Sequence, residues 1–331
     1  MDKKLRWGII GAADIALKSV MPGIQASATG IIQAVASRGI EKASAAAAQF
    51  GVSQAYGSYE ELLADPNIDA VYIPLPNHLH REWTIRAAEA GKHVLCEKPL
   101  ALTAAEAQEM VDACTKAGVV LSEAFMYRHH PRMEQIKRMI ADGEIGELRA
   151  LRGAFTFNNA ADSKNIRYRA EWGGGGLFDV GCYPLSAARY FLGREPEAVT
   201  VHAFFSPEHD NVDMMASGLV EFEGGIALTF DCGMWANFRQ TFEIVGTDGR
   251  IDIPSAFVAN GEDAAFKVTN KNGTREVKPE TVNTYARQVD DLARAVWKEK
   301  APVFPADDAV RNMALIEACL KSARIKARVE L

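Results

Sequence analysis

Short apolar runs alternate with longer amphipathic runs along the first 125 residues of the chain. The apolar runs predict strands at 5–10, 31–37, 70–74, 93–96 and 119–122. The amphipathic runs predict helices at 15–26, 41–50, 81–90 and 104–117, with a short run at 60–63. Strands that alternate with helices are typical of a parallel sheet wound by crossover helices. The pattern therefore predicts an α/β fold with a doubly wound parallel sheet in residues 1–125.

The pattern changes after residue 126. A helix is predicted near 134–142, followed by strand-like runs at 150–157, 198–205, 214–221, 225–231 and 240–244. Asp-Gly or Asn-Gly pairs at 248–249, 260–261 and 272–273 predict hairpin turns. Helical runs at 285–299 and 307–321 close the chain. We predict a second domain over 126–331, of α+β type, with a large and mostly antiparallel open sheet.

Composition limits the classes of partner. With 331 residues the chain is long enough for two domains that each bury a core. The formal net charge of -6 provides no basic field for nucleic acid and no polybasic anchor for a membrane. No apolar signal segment opens the chain, so we expect a cytoplasmic protein. The five widely spaced cysteines favour reduced thiols over disulfides or a zinc site.

A glycine turn joins the first predicted strand to the first helix. The segment Gly11, Ala12, Ala13, Asp14, Ile15 fits a Gly-x-Gly-x-x-Gly/Ala fingerprint, although alanine occupies the second glycine position. In this context the amide N–H groups at the helix start would face a pyrophosphate. The segment therefore favours a Rossmann dinucleotide-binding site over a plain strand-turn-helix.

The end of the second predicted strand indicates which dinucleotide binds. An acidic residue there would hydrogen-bond a ribose 2′-hydroxyl, but this chain has Ser37 and Arg38, with Lys42 one turn later. Cations at this point suit a 2′-phosphate. We expect NADP, with NAD possible; the alternative is that Arg38 and Lys42 are a solvated surface pair.

Two motifs carry groups that can move a proton. Glu97-Lys98-Pro99 follows the predicted strand at 93–96, and a run of four glycines at 173–176 leads to Asp179 and Tyr183. Residues four apart share one helix face, so Asp179 and Tyr183 would lie together if the segment is helical. A lysine, a tyrosine and a carboxylate can handle a proton while a cofactor moves a hydride.

These motifs resemble a known family, the glucose-fructose oxidoreductase, inositol dehydrogenase and rhizopine-catabolism (Gfo/Idh/MocA) group of nicotinamide-dependent oxidoreductases. The resemblance extends over nearly the whole chain. It is carried by the Gly11 turn, Leu75-Pro76-Asn77-His78-Leu79-His80, the segment 90–100 with its Glu-Lys-Pro element, and the glycine run leading to Asp179 and Tyr183.

The resemblance implies roles for several residues. Lys98 would lie beside the nicotinamide and the substrate hydroxyl, and the Lys98–Pro99 bond is expected to be cis. Desolvation beside an oxidised nicotinamide would lower the pKa of this lysine. Further cofactor contacts are expected from Leu75, Asn77, His80, Glu97 and Tyr285. For Tyr285, a core aromatic at helical spacing is an equal alternative.

Tyr183 narrows the subgroup, because many relatives have histidine at this position. Glucose-fructose oxidoreductases, aldose dehydrogenases and dihydrodiol dehydrogenases are similar to this chain in using tyrosine. A phenol near a lysine can act as the acid in carbonyl reduction or the base in alcohol oxidation. Asp179 would orient the pair or bind a substrate hydroxyl; the alternative is a carboxylate that stabilises a helix N-terminus.

Other positions are less specific. Arg128, Arg167 and Trp172 flank the predicted cleft and are expected to hold substrate hydroxyls or the cofactor, although each fits a structural role equally well. His78 and His80 have no acidic or cysteine partner nearby in sequence, so no metal site is expected.

The sequence thus predicts an NADP-dependent oxidoreductase acting on an aldose, a cyclic polyol or a dihydrodiol. Lys98, Tyr183 and Asp179 are the predicted catalytic residues. One alternative is an enzyme with a tightly bound nicotinamide cofactor, such as a sugar-sugar oxidoreductase or a redox-assisted glycosidase. Another is a non-catalytic NADP-binding regulator. We expect a homodimer or homotetramer, because another subunit commonly covers the exposed face of such a sheet.

Overall fold

The computed structural model describes residues 3–162, 164–259 and 261–331, so the predicted turn at Asn260 lies outside the described residues. Within these ranges, no helix is long and apolar enough to cross a membrane. The α-helices are α1 Met21–Ala26, α2 Ile40–Gln49, α3 Tyr59–Ala64, α4 His80–Glu89, α5 Ala104–Ala117, α6 Pro131–Ala141, α7 Cys182–Leu192, α8 Thr284–Val296 and α9 Asp307–Ile325. The strands are β1 Leu5–Ile10, β2 Gly30–Ala36, β3 Gln54–Tyr56, β4 Ala70–Ile73, β5 His93–Cys96, β6 Leu121–Glu123, β7 Leu148–Asn158, β8 Ala198–Ser206, β9 Val212–Phe222, β10 Ile226–Gly233, β11 Trp235–Gly246, β12 Gly249–Ile253, β13 Phe266–Asn270, β14 Gly273–Val277 and β15 Val329–Glu330.

The first sheet is parallel and confirms the predicted Rossmann fold. Its strand order is β3-β2-β1-β4-β5-β6 among the described residues, so the chain reverses direction across the sheet between β1 and β4. The central strands are apolar and buried, as expected for a sheet covered on both faces. In such sheets ligands bind outside the carboxyl ends of the strands at the reversal point.

The helix after the glycine turn differs from the prediction of one helix over 15–26. It begins with a π-helical turn at Ala16–Val20, in which Met21 donates its N–H to the Ala16 carbonyl, and continues as α1. Pro22 has no N–H to donate back into this turn, so the regular i to i−4 ladder is interrupted there.

The second sheet is large and mostly antiparallel, as predicted. Its order among the described residues is β14-β13-β12-β11-β7-β10-β9-β8-β15, and only β7 and β10 pair in parallel. The turns at Asp248-Gly249 and Asn272-Gly273 join β11 to β12 and β13 to β14, which confirms both predicted hairpins. The short edge strand β15 was not predicted.

The chain forms two compact units whose boundaries differ from the predicted split at residue 125. The first unit contains Met1–His129 and Asn283–Val310, and the second contains His130–Val282 and Arg311–Leu331. Helix α8 belongs to the first unit because Val289, Leu292 and Ala293 lie in the same core as β1 and α1. This return of the chain could not be read from local hydrophobic periodicity.

Candidate active site

A groove of about 390 Å³ lies in the first unit at the carboxyl ends of β1, β2 and β4. It joins the glycine turn, the end of the second strand and the loop after the fourth, as expected for a dinucleotide site. Its lining residues are Gly11, Ala12, Ala13, Ser37, Arg38, Gly39, Lys42, Tyr59, Pro74, Leu75 and Pro76. The predicted contacts Asp14 and Ile15 are not among them.

Gly11 is the tightest point of the groove. Its φ of 109° lies in the region that side chains rarely adopt, and a Cβ there would lie 2.9 Å from Cδ2 of Leu75. The Gly11 N–H donates to the Ala36 carbonyl at 2.9 Å, which closes the turn. Asp14 points instead to the exposed surface, where it pairs with Lys18 at 2.6 Å.

The end of β2 carries the cations expected for a 2′-phosphate. Ser37 is buried and its N–H donates to the Tyr56 carbonyl at 3.2 Å, which fixes the chain beside the groove. Arg38 and Lys42 are exposed along the groove, and in the described part of the chain neither has an ion-pair partner. Uncompensated cations beside a glycine turn suit a phosphorylated dinucleotide, so the residues fit NADP.

Lys98 follows β5, and its neighbour Glu97 is fixed from two sides. The peptide bond Lys98–Pro99 is cis, as the resemblance implied. The Tyr72 hydroxyl donates to Oε1 of Glu97 at 2.6 Å, and the Lys98 N–H donates to Oε2 at 3.3 Å. Burial raises the pKa of Tyr72 well above its usual value, with the Glu97 charge adding to the shift. Tyr72 therefore remains a hydrogen-bond donor to this carboxylate.

His80, a predicted cofactor contact, is buried between two carbonyl groups of the first unit. Its side chain is fully buried, with Nδ1 3.0 Å from the Pro99 carbonyl and Nε2 2.7 Å from the Leu75 carbonyl. Burial lowers the pKa of His80 to about 4. The neutral imidazole has one N–H and donates to one of these two carbonyl groups. Its ring fills the space between the Leu75 loop and the turn that follows Lys98, while Asn77 begins a 3₁₀ turn.

Tyr285 packs as a core aromatic, one of the two roles that the sequence left open. It packs in the core of the first unit, where a Cβ on Gly23 would lie 2.6 Å from its own Cβ. Burial raises the pKa of Tyr285, whereas a hydrogen bond with Ser19 opposes this shift and the charges of Glu97 and Lys98 also reach the hydroxyl. The structure thus brings Tyr285 near the Glu97-Lys98 motif.

Arg128, a predicted substrate contact, makes structural contacts within the first unit. Its side chain is 2% exposed and its Nη1 pairs with Asp308 at 2.5 Å. The guanidinium lies 4.2 Å from the ring centre of Phe304 and 5.3 Å from that of Phe125. These contacts, all within the first unit, use the charge of Arg128 to hold the segment before α9.

Arg167 and Asp179 form the polar centre of the second unit. Nε of Arg167 donates to Oδ2 of Asp179 at 2.7 Å, and the side chains are 41% and 15% exposed. The Asp179 charge is the main cause that raises the pKa of Arg167, and Tyr183 contributes in the same direction. Arg167 and Asp179, both predicted to bind substrate, therefore form an ion pair. Tyr183 lies close enough to affect the pKa of Arg167.

Tyr183 lies in the first turn of α7, while Asp179 precedes it in a π-helical turn at Leu177–Gly181. The segment is helical as supposed, but the π turn replaces the regular helix that the four-residue spacing assumed. The Tyr183 ring is 6% exposed and packs 5.2 Å from Phe155 and 5.4 Å from Phe257. These aromatic contacts fix the direction of the phenol.

Trp172 ends a 3₁₀ turn at Ala170–Trp172, just before the glycine run. The backbone N–H of Trp172 donates to the Arg169 carbonyl at 3.1 Å, and Gly173 follows with a φ of 75°. The predicted cofactor contact Trp172 therefore belongs to the second unit, together with Arg167, Asp179 and Tyr183.

Two residues near the predicted site were missed. Tyr59 lines the groove beside Arg38, and its ring packs edge-on against Trp83 at 4.7 Å. Tyr72 holds Glu97 from a fully buried strand. Both side chains read as ordinary apolar positions in sequence, and only the strand order brings them to the site.

Family models match both parts of the chain. A model described as an oxidoreductase family with an NAD-binding Rossmann fold matches residues 5–125. The GFO/IDH/MocA C-terminal domain matches residues 133–252.

Individual relatives match over almost their whole length. A D-xylose 1-dehydrogenase (NADP(+)) of Haloferax volcanii is 40% identical over 330 residues, covering 99% of this chain and 100% of its own. A 3-ketoreductase from Actinomadura kijaniata, solved with NADP and TDP-benzene, has a TM-score of 0.91 and 31% identity over 97% and 98% of the two chains. The aldose-aldose oxidoreductase from Caulobacter crescentus, complexed with glycerol, has a TM-score of 0.93 and 29% identity over 99% and 100%.

Proposed function

The chain belongs to the Gfo/Idh/MocA family of oxidoreductases, and from this premise we propose that it transfers a hydride between NADP and a hydroxyl or carbonyl carbon of a sugar-like substrate. The proposed substrate is an aldose, a cyclic polyol or a dihydrodiol. The proposed catalytic residues are Lys98, Asp179 and Tyr183.

The observation that carries the proposal is the arrangement at the carboxyl ends of the first sheet. Gly11 follows β1, Ser37 follows β2, Asn77 follows β4 and Lys98 follows β5 within a few residues. Because the four strands are parallel neighbours, these groups meet at one edge of the sheet. That edge provides a phosphate-binding turn at one end and an amine at the other.

NADP is favoured over NAD by the charge at the groove. Arg38 and Lys42 supply two cations, and no carboxylate of the described residues lines the groove to accept a ribose 2′-hydroxyl. The Haloferax volcanii relative is named for NADP(+), and the Actinomadura kijaniata relative was solved with NADP. A matching specificity in this chain is the simplest inference.

NADP supplies the hydride acceptor or donor when bound, and the protein handles the proton and the orientation. Lys98 and Tyr183 are the proposed proton-handling residues: the phenol takes the hydroxyl proton during oxidation or returns it during reduction. The lysine charge would stabilise the phenolate and lower its pKa. Asp179, held by Arg167, is proposed to orient a substrate hydroxyl.

Turnover is tested by the absorbance of reduced nicotinamide, with aldoses, inositols and cyclic diols offered together with NADP and then NAD. We expect turnover with NADP on at least one sugar or diol. A strong preference for NAD would overturn the cofactor assignment. Binding of both cofactors without any turnover would favour a regulator.

A second candidate is an enzyme that keeps its nicotinamide bound through a full cycle. The likeness to the Caulobacter crescentus aldose-aldose oxidoreductase, with a TM-score of 0.93, specifically favours it. Such a protein would purify with nicotinamide absorbance and convert a mixture of an aldose and a ketose without added cofactor. A protein that purifies without nicotinamide absorbance and requires added NADP would exclude this candidate.

We also propose that the chain forms a homodimer or homotetramer through the open sheet of the second unit. Phe204, Trp235 and Phe238 are 42%, 51% and 60% exposed at this sheet, and the first two rings stack at 4.7 Å. Exposed aromatic side chains that cluster on the face of a sheet commonly mark a protein interface. Light scattering of the purified protein measures the mass, and a monomer at micromolar concentration would contradict the proposal.

A further inference from the structure

A carboxylate that the proposed chemistry does not use lies directly behind the glycine run. Asp213 belongs to β9 and is 1% exposed. Its Oδ2 accepts the N–H of Leu177 at 2.6 Å, at the start of the π-helical turn that contains Asp179. The N–H of Gly176 also hydrogen-bonds to Asp213. A buried carboxylate thus holds the first amides of the helical segment that carries both Asp179 and Tyr183.

The glycine run is shaped around this carboxylate. A Cβ at Gly175 would lie only 2.0 Å from Oδ1 of Asp213, and Gly175 has a φ of 116°. A Cβ at Gly174 would lie 2.3 Å from the Arg167 carbonyl oxygen. Side chains at these two positions would push the turn away from Asp213 and from Arg167. The glycines therefore serve a close approach of backbone to carboxylate.

The same backbone leads to the polar centre of the second unit. The Gly175 N–H donates to the Arg167 carbonyl at 3.0 Å, and the Gly175 carbonyl accepts the Asp179 N–H at 3.0 Å. Asp179 then accepts from Nε of Arg167 at 2.7 Å. A shift of Leu177 relative to Asp213 would therefore move Asp179 directly, and Tyr183 with the helix that follows.

A carboxylate is a costly way to hold two amides in a buried place, since burial disfavours its charge. Burial raises the pKa of Asp213 to about 7, and the hydrogen bonds from Leu177 and the charge of Arg324 on α9 oppose that shift. The thiols of Cys232 on β10 and Cys319 on α9 face it in turn, and each has its own pKa raised, chiefly by burial.

We propose that Asp213 is a positioning residue for the proposed reaction, which acts through the backbone of 175–177 to set the places of Asp179 and Tyr183. The inference rests on the proposed function, because only that function makes Asp179 and Tyr183 reacting groups. Its structural part, the hold of Asp213 on the Leu177 amide, is testable without any substrate.

The main test replaces Asp213 by Asn, which keeps the size and one acceptor oxygen but removes the charge. We expect kcat to fall about 10- to 100-fold, the range expected for a misplaced reacting group, with the KM for NADP changed by less than about threefold. The pH profile of kcat should lose one titration near neutral pH. Asp231→Asn, an exposed carboxylate on the neighbouring strand β10, is the control and should keep kcat and its pH profile.

A double variant separates positioning from general damage. In a Tyr183→Phe background, Asp213→Asn should lower the residual rate by a smaller factor than in the wild type, because the phenol, one of the two groups that Asp213 positions, is already lost while Asp179 remains. An equal loss in both backgrounds would overturn the proposal. So would a D213N enzyme with wild-type kcat and pH profile.

Hydrogen exchange distinguishes a failure of the proposed Asp213 contact from a failure of the proposed function. In D213N, amides of 176–181 should exchange at least about tenfold faster than in the wild type, while peptides of the first unit are unchanged. Faster exchange in a protein that oxidises no sugar would retain the contact and reject the proposed function. Unchanged exchange would reject the hold of Asp213 even if turnover is found. If D213N does not fold, Asp213→Ser, which keeps one acceptor in less volume, is measured in the same way.

Discussion

Arg167 holds Asp179 twice, once through its side chain and once through its backbone. Nε donates to Oδ2 of Asp179 at 2.7 Å, and the Arg167 carbonyl accepts the N–H of Gly175, whose carbonyl accepts the Asp179 N–H. Arg167, which lies on the 3₁₀ turn Ile166–Tyr168, thereby fixes both the side chain and the backbone of Asp179.

Arg167→Gln should lower kcat/KM for the substrate by about 10- to 100-fold. The change removes a charge-assisted hydrogen bond worth roughly 1.5 to 3 kcal/mol and leaves Asp179 without its guanidinium partner. Steady-state kinetics with the best sugar of the panel would measure this. Arg239→Gln breaks an ion pair of similar length to Asp231 on the exposed sheet, and is expected to have little effect. Equal losses in both variants would argue for a general effect of charge.

Lys98→Ala should abolish turnover while leaving the affinity for NADP nearly unchanged. The lysine is proposed to act on the proton, whereas the phosphates are proposed to bind at Gly11, Arg38 and Lys42, which line the groove. Fluorescence or calorimetric titration gives the Kd, and absorbance gives the rate. Lys116→Ala, on the exposed side of α5, is the matched surface change and should alter neither the turnover nor the affinity for NADP. A large loss of NADP affinity in Lys98→Ala would place the residue in binding instead.

Arg38→Ala and Lys42→Ala should each reduce kcat/KM for NADP by about 10- to 100-fold, with little change for NAD. Each side chain is proposed to donate one charge-assisted hydrogen bond to the 2′-phosphate, which NAD does not have. The ratio of kcat/KM for the two cofactors is the measurement. Lys18→Ala removes a nearby cation that pairs with Asp14 outside the groove, and should leave the ratio unchanged. A ratio that does not change in any variant would refute the phosphate assignment.

His80 should make the protein less stable in mild acid. Its folded-state pKa of about 4 is below the unfolded value of 6.5, so its contribution is complete above pH 6.5 and is lost as the pH falls through 4. The full effect is on the order of 3 kcal/mol. Urea midpoints at pH 7 and pH 4.5 should differ less in His80→Gln than in the wild type. Buried His129, with a pKa of about 3, titrates in the same direction and remains in the variant. An equal difference in both proteins would exclude His80 as the source.

Much of the first unit could be predicted because its strands and helices are local patterns. The runs at 5–10 and 93–96 coincide with β1 and β5, and the helix at 104–117 coincides with α5. Thr103 caps that helix by accepting the Glu106 N–H, and Gly118 ends it with a φ of 68°. Boundaries were accurate where such end signals exist.

The residues of the site could be predicted from the sequence, but the residue that each one contacts could not. Sequence grouped Asp179 with Tyr183 and indicated Arg167 separately, but it did not indicate that Arg167 pairs with Asp179. Likewise His80 reads as a ligand-facing histidine, whereas the structure buries it between two carbonyl groups. Asp213 lies just before the predicted strand 214–221, whereas the structure places it within β9. Partners that lie on different elements depend on tertiary contacts, which periodicity does not encode.

The return of α8 to the first unit affects how the protein can be made. Asp290 on α8 accepts from both the N–H and the hydroxyl of Thr29, at 3.0 and 2.6 Å. A helix from late in the chain therefore holds the residue that directly precedes β2. The ribosome must therefore translate the entire second-unit segment 130–282 before the nucleotide-binding half has all of its core. The first unit therefore cannot complete its core until α8 has been synthesised, although domains generally fold from the amino terminus during synthesis.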